Sequence, residues 1–542
     1  MDILIAGAWP YANGPLHIGH LAALLPGDVL ARYHRAKGDR VVYVSGSDCH
    51  GTPVSLRARQ EGRPPRQVSD DFHHSFERDF ARLGFSYDGY GQTSSAEHGQ
   101  FVRDFHRRLY RSPYITEQVL PQAWCPACGS WLTDRYIAGN CPRCGQTARG
   151  DQCDACGRVS EPEELLSPRC TLCGGTPVFR RRRHLFLDLP ALREPLDALL
   201  AGSPHWRKNA AAITRRYLGE GLRKRAVTRC LDWGVEVPRE GYDDRRIYIW
   251  AENVLGYLSV SEAVCRRTGG DFSHLWDPGA ADVRHYYLHG KDNVPFHTLI
   301  LPALLLAEGG QWRLPDRVFS SEHLTLLGRK ISTSQNWAVW AADACDRYPA
   351  DTLRYFLLAC GPEKQDADFR HLELAQRHNS DLAGAYGNFL HRTLAFLERY
   401  HGGKVPQGTP ESNIVNTFNC LYDTIGGYIE AGEFRRALRS LFDAVRTANR
   451  YFDSREPWCT RETAPSAYED TLSTCVQLAA NLSNLLRPFL PFSSEKAAGW
   501  LGLNGRWEPQ VVPGGHPLPP IEVLFARLDI PSAERLDAAL LS

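Results

Sequence analysis

Four Cys-x-x-Cys pairs between residues 125 and 173 constrain the fold of this chain more than any other feature. They are Cys125/Cys128, Cys141/Cys144, Cys153/Cys156 and Cys170/Cys173, and a glycine directly follows each pair. In a long chain without an export signal, such clustering indicates metal binding rather than disulfides. Four thiolates around one Zn²⁺ form a closed tetrahedral site, so eight suffice for two structural sites. The segment therefore predicts zinc knuckles, and eight unrelated buried thiols are the weaker interpretation.

The residues on either side of the knuckles have an α/β pattern. The apolar run ILIAGAW is followed by a Gly/Pro-rich turn, a helix from about residue 16 to 35, and a second apolar run, RVVYVSG, that leads into Asp48. Strand, helix and strand in this order predict a right-handed βαβ unit of a parallel sheet. Ligands in such sheets bind beyond the carboxyl ends of the strands. The pattern returns near residue 226, so the knuckles are expected to split one Rossmann-like sheet.

After about residue 365 the strand pattern ends and long helical patterns follow. Apolar residues there recur at three- and four-residue spacing, for example in the segment LAGAYGNFLHRTLAFLERY. This spacing is typical of helices that bury one face in an antiparallel bundle. The predicted fold class is therefore α/β, with a split parallel sheet followed by an all-α helical bundle.

Charge and apolar patterning exclude several classes of protein. Among 542 residues there are 63 Lys and Arg and 62 Asp and Glu, which gives a net charge of +1. A uniformly basic nucleic-acid coat is thereby excluded, although a local basic patch is not. The run nearest to a membrane span, Leu299 to Ala307, is far too short to cross a bilayer. The amino terminus has no cationic lead or cleavage site, so we expect a cytoplasmic protein with no membrane partner.

Two short polar strings carry the most chemical information. His17-Ile18-Gly19-His20 opens the first predicted helix, where two imidazoles one turn apart add donors to a site that already favours phosphate. The loop from Gly328 to Ser334 reads GRKISTS, and its lysine can place a charge on polyphosphate while its hydroxyls orient it. Taken separately, an ordinary helix start and a solvated loop explain the two strings better.

Taken together and in this order, the two strings resemble the two signatures of class I aminoacyl-tRNA synthetases. The further segments AWPYANGPLHIGHL, VSGSDCHGTP, HLFLDLP, GKDNVPFH, NWAVW, YPADTLRYFL, GNFLHR and REPW resemble the methionyl-tRNA synthetase family, as do the knuckles. The resemblance extends over nearly the whole chain. It implies ATP-dependent activation of L-methionine to methionyl-adenylate and transfer to tRNA(Met), with Mg²⁺ accompanying ATP.

The resemblance also implies a division of the chain and a set of nucleotide-binding residues. The implied parts are the first catalytic half (1–114), the zinc-knuckle connective insertion (115–225), the second catalytic half (226–318), a stem-contact region with the KISTS loop (319–365) and the anticodon-binding bundle (366–542). His17, His20 and Lys330 are implied as catalytic, and Gly19, Thr333 and Ser334 as ATP-binding. Because no dimerising segment follows the helical pattern, we expect a monomer.

An amino-acid pocket is implied from residues that are far apart in the sequence. Its aromatic members can enclose a polarizable thioether, although core packing would explain each aromatic alone. Asp48, at a strand end, can hold the substrate ammonium group, and Tyr257 or His297 can contact the sulfur. The full set is Ala8, Trp9, Tyr11, Asp48, Trp250, Val254, Tyr257, Asn293 and His297.

The same resemblance groups the cysteines and identifies an anticodon reader. One zinc site is implied by Cys141, Cys144, Cys153 and Cys156, and another by Cys125, Cys128, Cys170 and Cys173. Asn388, Arg392 and Trp458 match the positions at which the family reads the CAU anticodon. Single-stranded bases are read by stacking and by amide or guanidinium hydrogen bonds, which suits these residue types. A helix cap, a surface arginine and a core tryptophan are the alternative interpretation.

Several departures from the family pattern leave a second function open. Residues 250–254 read WAENV where the family usually has tryptophan, any residue, Asp-Ala-Pro. Cys230 stands where an aspartate is usual, and Thr333 replaces the second lysine of the KMSKS loop. These changes motivate an alternative, a paralogue that activates an amino acid for a small-molecule pathway. A nucleic-acid-binding protein without activity is disfavoured because both histidines and the loop lysine are present.

Overall fold

A computed structural model describes residues 1–132, 136–150, 153, 162–309 and 311–541. The strands are β1 (Asp2–Gly7), β2 (Arg40–Ser47), β3 (Gly89–Gln92), β4 (Ile115–Cys125), β5 (Ser130–Leu132), β6 (Ile137–Asn140), β7 (Thr147–Arg149), β8 (Leu166–Cys170), β9 (Val178–Leu187), β10 (Arg225–Ala226), β11 (Thr228–Arg229), β12 (Arg246–Ile247), β13 (Val283–Gly290), β14 (Arg317–Ser321), β15 (Leu324–Leu326), β16 (Arg329–Lys330) and β17 (Ala367–Phe369). The helices are α1 (Ile18–Lys37), α2 (Thr52–Glu61), α3 (Pro65–Arg82), α4 (Ala96–Leu109), α5 (Arg193–Ala201), α6 (Lys208–Glu220), α7 (Gly256–Thr268), α8 (Phe272–Leu275), α9 (Leu301–Glu308), α10 (Ala341–Arg347), α11 (Ala350–Ala359), α12 (His371–Arg377), α13 (Asn388–Tyr400), α14 (Ser412–Asn419), α15 (Leu421–Glu430), α16 (Phe434–Arg455), α17 (Pro457–Thr463), α18 (Pro465–Leu486), α19 (Pro491–Leu501) and α20 (Ile530–Leu541).

A five-stranded parallel sheet forms the centre of the catalytic half of the molecule. Its strand order is β14-β13-β1-β2-β3, and every residue of β1 is buried because both neighbours and both faces are covered. β1 pairs with β2 on one side and with β13, far along the chain, on the other, for example Ile5 with Tyr286. The predicted Rossmann-like sheet, split by an insertion, is thereby confirmed. The strand order reverses at β1, so the ligand crevice is expected beyond the ends of β1 and β13.

The insertion is built from two small sheets around the cysteines. An antiparallel sheet of order β10-β9-β4-β5 carries the long hairpin-like pair β4 and β9, and a second sheet has the order β7-β6-β8. A separate small core here includes Cys125, Cys141, Cys153 and Cys170 together with Leu132 and Ile137. A core this small needs additional support, which bound metal can supply.

Between residues 226 and 282 the second catalytic half lacks the regular strands that the α/β pattern of the sequence predicts. Instead of regular strands, this stretch has the two-residue strands β11 and β12, two 3₁₀ turns at residues 249–251 and 253–255, and the helices α7 and α8. The apolar residues of this stretch are buried all the same, because the turns pack their side chains around a cavity described below. Hydrophobic runs alone do not distinguish a short strand from such a turn.

A buried arginine between the catalytic half and the helical bundle contacts both. Arg354 of α11 is fully buried and donates to Asp28 Oδ2 of α1 at 2.7 Å, and to the carbonyls of Leu83 and Phe489. Asp28 in turn accepts hydrogen bonds from the backbone and hydroxyl of Ser86. Burial would raise the pKa of Asp28, yet Arg354 and Arg32 hold it below its usual value. Removal of either partner would leave a buried charge unpaired.

Strand β17 begins just after residue 365, where the sequence predicts that strands end. It pairs in parallel with β15, whose other edge pairs with β16, and it is followed along the chain by α12 and α13 of the bundle. Across the described ranges, no helix combines the length and the apolar character that a bilayer span requires.

Candidate active site

The amino-terminal end of α1 is organised by its two histidines. His17 is the N-cap residue: its Nδ1 accepts a hydrogen bond from the Gly19 backbone N–H at 3.1 Å, and His20 Nδ1 accepts from the His17 N–H at 3.2 Å. The two rings stack with centroids 3.8 Å apart. A Cβ on Gly19 would lie 2.9 Å from the His17 ring, so only glycine fits there. The predicted helix therefore begins at Ile18 rather than near residue 16, because His17 itself caps it.

These backbone bonds determine the protonation of both rings. Since each Nδ1 accepts, the proton of each neutral imidazole must be on Nε2. Burial lowers the pKa of His17 to about 4, and burial together with the neighbouring His17 ring lowers that of His20 well below 6.5. The helix start therefore offers two neutral Nε2–H donors, next to a helix dipole that favours phosphate.

The KISTS loop lies directly against this helix start. The segment just after the loop pairs with the helix start: Ile18 N–H donates to the Val339 carbonyl at 3.0 Å, and Ala341 N–H donates to the Leu16 carbonyl at 2.8 Å. The loop closes on itself through paired backbone bonds between Ser332 and Trp337. A Cβ on Gly19 would be 3.7 Å from Ile331 Cδ1. The two sequence strings, about 310 residues apart, thus converge on one place.

The functional groups of the loop are presented on a tight hairpin. Leu327 and Gly328 both have positive φ (52° and 77°) and turn the chain from β15 to β16, which carries exposed Lys330. Thr333 and Ser334 follow in a 3₁₀ turn. The other cation, Arg329, is held over the Trp337 ring at 4.8 Å and donates to Gln335. Lys330 is also exposed and directly precedes Ile331, the loop residue that lies near Gly19 of α1.

A cavity of about 170 Å³ opens beyond the carboxyl ends of β1 and β13. Asp48 and Tyr257 lie in its wall, and so do the seven other residues assigned to the amino-acid pocket from the sequence. Five further lining residues were not predicted: Arg225, Tyr248, Ile249, Asn253 and Phe296. Of these five, only Asn253 could have been noticed in the sequence, because it departs from the family pattern.

The position of the Trp9 ring in the cavity wall depends on two glycines that pack against it. A Cβ on Gly46 would be 2.5 Å from Trp9 Cζ3, and one on Gly256 would be 2.4 Å from Trp9 Cζ2. Trp9 meets Tyr257 edge to face, with centroids 6.3 Å apart. Larger residues in place of Gly46 or Gly256 would displace the Trp9 indole. Glycine at both positions therefore leaves the space that the Trp9 ring occupies.

The inner wall of the cavity is polar but uncharged. His297 Nδ1–H donates to the Asn293 carbonyl at 2.8 Å, which leaves Nε2 as the acceptor for the Tyr257 hydroxyl at 2.7 Å. Burial lowers the pKa of His297 to about 4 and raises the pKa of Tyr257. Both groups are therefore neutral near pH 7, as suits an uncharged thioether.

The opposite side of the cavity is acidic. Asp48 is 1% exposed, and its Oδ2 accepts from Asn253 Nδ2 at 2.9 Å. Burial and the charge of Glu252 raise the pKa of Asp48 well above its usual value. Glu252 lies behind it, with Oε1 at 2.6 Å from His50 Nδ1 and 3.5 Å from His98 Nε2. Although burial opposes ionisation, the two histidines lower the pKa of Glu252 to about 2. The sequence did not reveal this network.

The cysteines of the insertion form two clusters. The Sγ atoms of Cys125, Cys128, Cys170 and Cys173 all lie within 4.8 Å of one another, and those of Cys141, Cys144 and Cys153 form a second group by the same measure. Cys156, assigned to this second group from the sequence, lies outside the described residues. Tetrahedral Zn²⁺ with Zn–S bonds of about 2.3 Å places sulfurs about 3.8 Å apart. The distances of 3.5 Å (Cys125–Cys173) and 3.9 Å (Cys128–Cys170) fit this ion.

Comparison with known proteins decides the family. The family model described as tRNA synthetases class I (M) matches residues 3–394, and the anticodon binding domain of methionyl tRNA ligase matches residues 402–537. The chain belongs to the methionyl-tRNA synthetase family. A methionine–tRNA ligase of Bacillus cereus (strain AH187) and methionine–tRNA ligase 2 of Bacillus anthracis are each 47% identical over 98% of this chain and 98% of their own length.

Solved structures show that the family fold is retained. The Mycobacterium tuberculosis methionyl-tRNA synthetase bound by methionyl-adenylate is 22% identical, with a TM-score of 0.80 over 97% of this chain and 100% of that one. The free form of the same enzyme gives a TM-score of 0.73 over 97% of this chain and 98% of that one, also at 22% identity. At this identity the likeness establishes the arrangement of the sheet, the insertion and the bundle.

The residues matched to the family's anticodon reader share one surface of the bundle. Asn388 and Arg392 lie one turn apart on α13 and reach α16: Asn388 donates to Asn449 Oδ1 at 3.2 Å, and Arg392 donates to Asp453 Oδ1 at 2.7 Å. Arg392 also covers the Phe452 ring, which lies 6.1 Å from Trp458. Trp458 is 46% exposed and is therefore not a core residue. Asn388 continues a helical segment from residue 378 and is not a cap.

Proposed function

We propose that this protein is a methionine–tRNA ligase, which joins methionine to the 3′ end of tRNA(Met) in two steps with ATP. The observation that carries the proposal is the convergence of the α1 terminus and the KISTS loop beside the cavity. The cavity wall contains the acidic Asp48, the neutral Tyr257–His297 pair and the cation Arg225. The named relatives and the matched anticodon domain support the same substrate and partner.

In the first step the methionine carboxylate attacks the α-phosphorus of ATP, and the bond to the pyrophosphate leaving group breaks. The Nε2–H groups of His17 and His20 donate to phosphate oxygens, where negative charge grows in the transition state. Lys330 supplies a positive charge to the leaving pyrophosphate, with Thr333 and Ser334 in the adjacent turn. Mg²⁺ bound with ATP would neutralise phosphate charge. No covalent enzyme intermediate is needed, since positioning and electrostatics suffice.

Methionine is selected by the two unlike sides of the cavity. The thioether is uncharged and polarizable, so it packs against Trp9, Trp250 and Tyr257. The ammonium group pairs with Asp48 at the acidic side. A charged side chain would have to lose its hydration against the neutral Tyr257–His297 wall, and this disfavours it.

In the second step the terminal ribose hydroxyl of the tRNA attacks the adenylate carbonyl and AMP leaves. We propose that Asn388, Arg392 and Trp458 read the CAU anticodon, through an amide, a guanidinium and an exposed ring. The two cysteine clusters would hold structural Zn²⁺, which would support the small core of the insertion. We further propose that the protein acts as a monomer.

The direct test is ATP–pyrophosphate exchange with a panel of amino acids, followed by charging of tRNA that carries a CAU anticodon. We expect exchange with methionine well above that with leucine, isoleucine or valine, and charging that is lost when the anticodon is changed. Exchange without tRNA charging would instead indicate the small-molecule ligase, which the anticodon-domain match and the relatives' names do not favour.

A further inference from the structure

Asn253 lines the cavity, although it departs from the family pattern and was not among the predicted pocket residues. It follows Glu252 in the turn that leads into α7, and its side chain lines the cavity beside Asp48. Its Nδ2 lies 2.9 Å from Asp48 Oδ2. A carboxylate oxygen can only accept, so the amide nitrogen must face Asp48 and the amide oxygen must face away from it. The orientation of the Asn253 side chain is thereby fixed.

Two buried acceptor atoms of the Asp48–Asn253 pair lack a donor. Asp48 Oδ1 and Asn253 Oδ1 have almost no solvent-accessible surface, and within the described part of the chain neither has a hydrogen-bond partner. Unpaired buried acceptors are costly and uncommon in native proteins, and each calls for an explanation. Both residues line the same small cavity, so a ligand that enters it meets the pair that carries these two oxygens.

An ammonium group matches these two acceptors. It carries three donors, no acceptor and a positive charge, whereas a hydroxyl or an amide would bring an acceptor of its own. The buried carboxylate of Glu252 lies behind Asp48 and adds negative potential, which favours a cation further. Hydrogen bonds to a charged donor are also stronger than neutral ones.

We propose that Asn253 is a second ligand of the substrate ammonium group. Its Oδ1 accepts one ammonium hydrogen, while its Nδ2 holds Asp48 so that Asp48 Oδ1 accepts another. The inference rests on the proposed function, because it takes an α-amino acid as the substrate. In this interpretation Asn253, which departs from the family pattern, is part of the site that recognises the ammonium group.

The test replaces Asn253 in two ways. Asn253→Ala removes the amide, and Asn253→Leu removes it while keeping a similar branched volume, so that no cavity remains. In methionine-dependent exchange we expect both variants to raise KM for methionine about 10- to 100-fold, the loss typical of a hydrogen bond to a charged group. KM for ATP should stay unchanged. Exposed Asn416 of α14 provides the matched control, Asn416→Ala, which should behave as wild type.

Two competitive inhibitors separate ammonium recognition from a general effect on the pocket. Methioninol keeps the ammonium group and carries an alcohol in place of the carboxylate, whereas desamino-methionine has hydrogen in place of the amino group. Methioninol should lose affinity in both variants as methionine does, and desamino-methionine should not. Equal losses for both inhibitors, or methionine affinity restored by Asn253→Leu, would overturn the inference. A wild-type enzyme without methionine-dependent exchange would instead refute the proposed function.

Discussion

Substitution of His20 by alanine tests the mechanism most directly, because the structure gives this ring two separable tasks. Its Nδ1 accepts the His17 N–H at the start of α1, and its Nε2–H is the donor proposed to face the phosphates. Loss of one preorganised hydrogen-bond donor to a developing anion lowers kcat by a factor of about 10²–10³. Loss of the capping bond costs about 1 kcal/mol in stability. His20→Ala should therefore lower kcat far more than it lowers the melting temperature.

The assay is ATP–pyrophosphate exchange at saturating ATP with varied methionine. KM for methionine should remain close to wild type, because His20 does not line the methionine cavity. Exposed His74 of α3 offers the control His74→Ala, which should leave the exchange rate unchanged. A wild-type kcat in His20→Ala, or an effect limited to KM for methionine, would remove His20 from its proposed role.

The pH dependence of the same reaction tests the protonation of the two rings. Since the pKa of His17 is lowered to about 4 and that of His20 lies well below 6.5, both remain neutral donors between pH 6 and 8. The exchange rate should show no ionisation from these groups in that range. A titration near pH 6.5 that disappears in His20→Ala would show that the ring acts as a cation.

Three further outcomes are expected. Cys170→Ala should lower the zinc content, measured by atomic absorption, by one ion per chain, because its Sγ belongs to one four-sulfur cluster; an unchanged content would contradict that cluster. Trp458→Ala should raise KM for tRNA in charging by about 5- to 100-fold, the value of one stacked base, with exchange unaffected. Acidification from pH 6.5 to 4 should lower the free energy of unfolding, by up to about 3 kcal/mol for each of His17, His106 and His285: their folded pKa values lie near 4, so only the unfolded chain takes up the proton. Urea unfolding at several pH values measures this change, and greater stability at pH 5 than at pH 7 would contradict it.

The sequence was most informative where local pattern and chemistry coincide. The split parallel sheet follows from strand and helix periodicity on both sides of the knuckles, and the structure reproduces it through the pairing of β1 with β2 and β13. The Cys-x-x-Cys spacing identifies thiolate pairs directly, because two cysteines of one knuckle can bind one ion. The assigned pocket residues line one cavity because each belongs to a motif whose position in the fold is already fixed.

The sequence was least informative where partners come from distant turns. Glu252 interacts with His50, 202 residues earlier in the chain, and with His98 of α4, and neither pair has a local spacing that could predict it. The short strands and 3₁₀ turns between residues 226 and 255 have apolar patterns similar to those of regular strands. Their conformation depends on packing around the cavity, which only the assembled fold supplies.

The distribution of charge in this site follows from the reactants that it must bring together. The nucleophile is a carboxylate and its target is a triphosphate, so a fixed cation between them would stabilise the ground state of both. In the proposed mechanism, the neutral Nε2–H donors of His17 and His20 instead strengthen their interaction as charge grows on the phosphate oxygens. The full positive charge of Lys330 lies on an exposed hairpin, and we propose that it acts there on the leaving pyrophosphate. The buried acidic groups Asp48 and Glu252 are proposed to lie on the ammonium side. A cation introduced near the α1 terminus should therefore improve ATP binding more than it improves the rate.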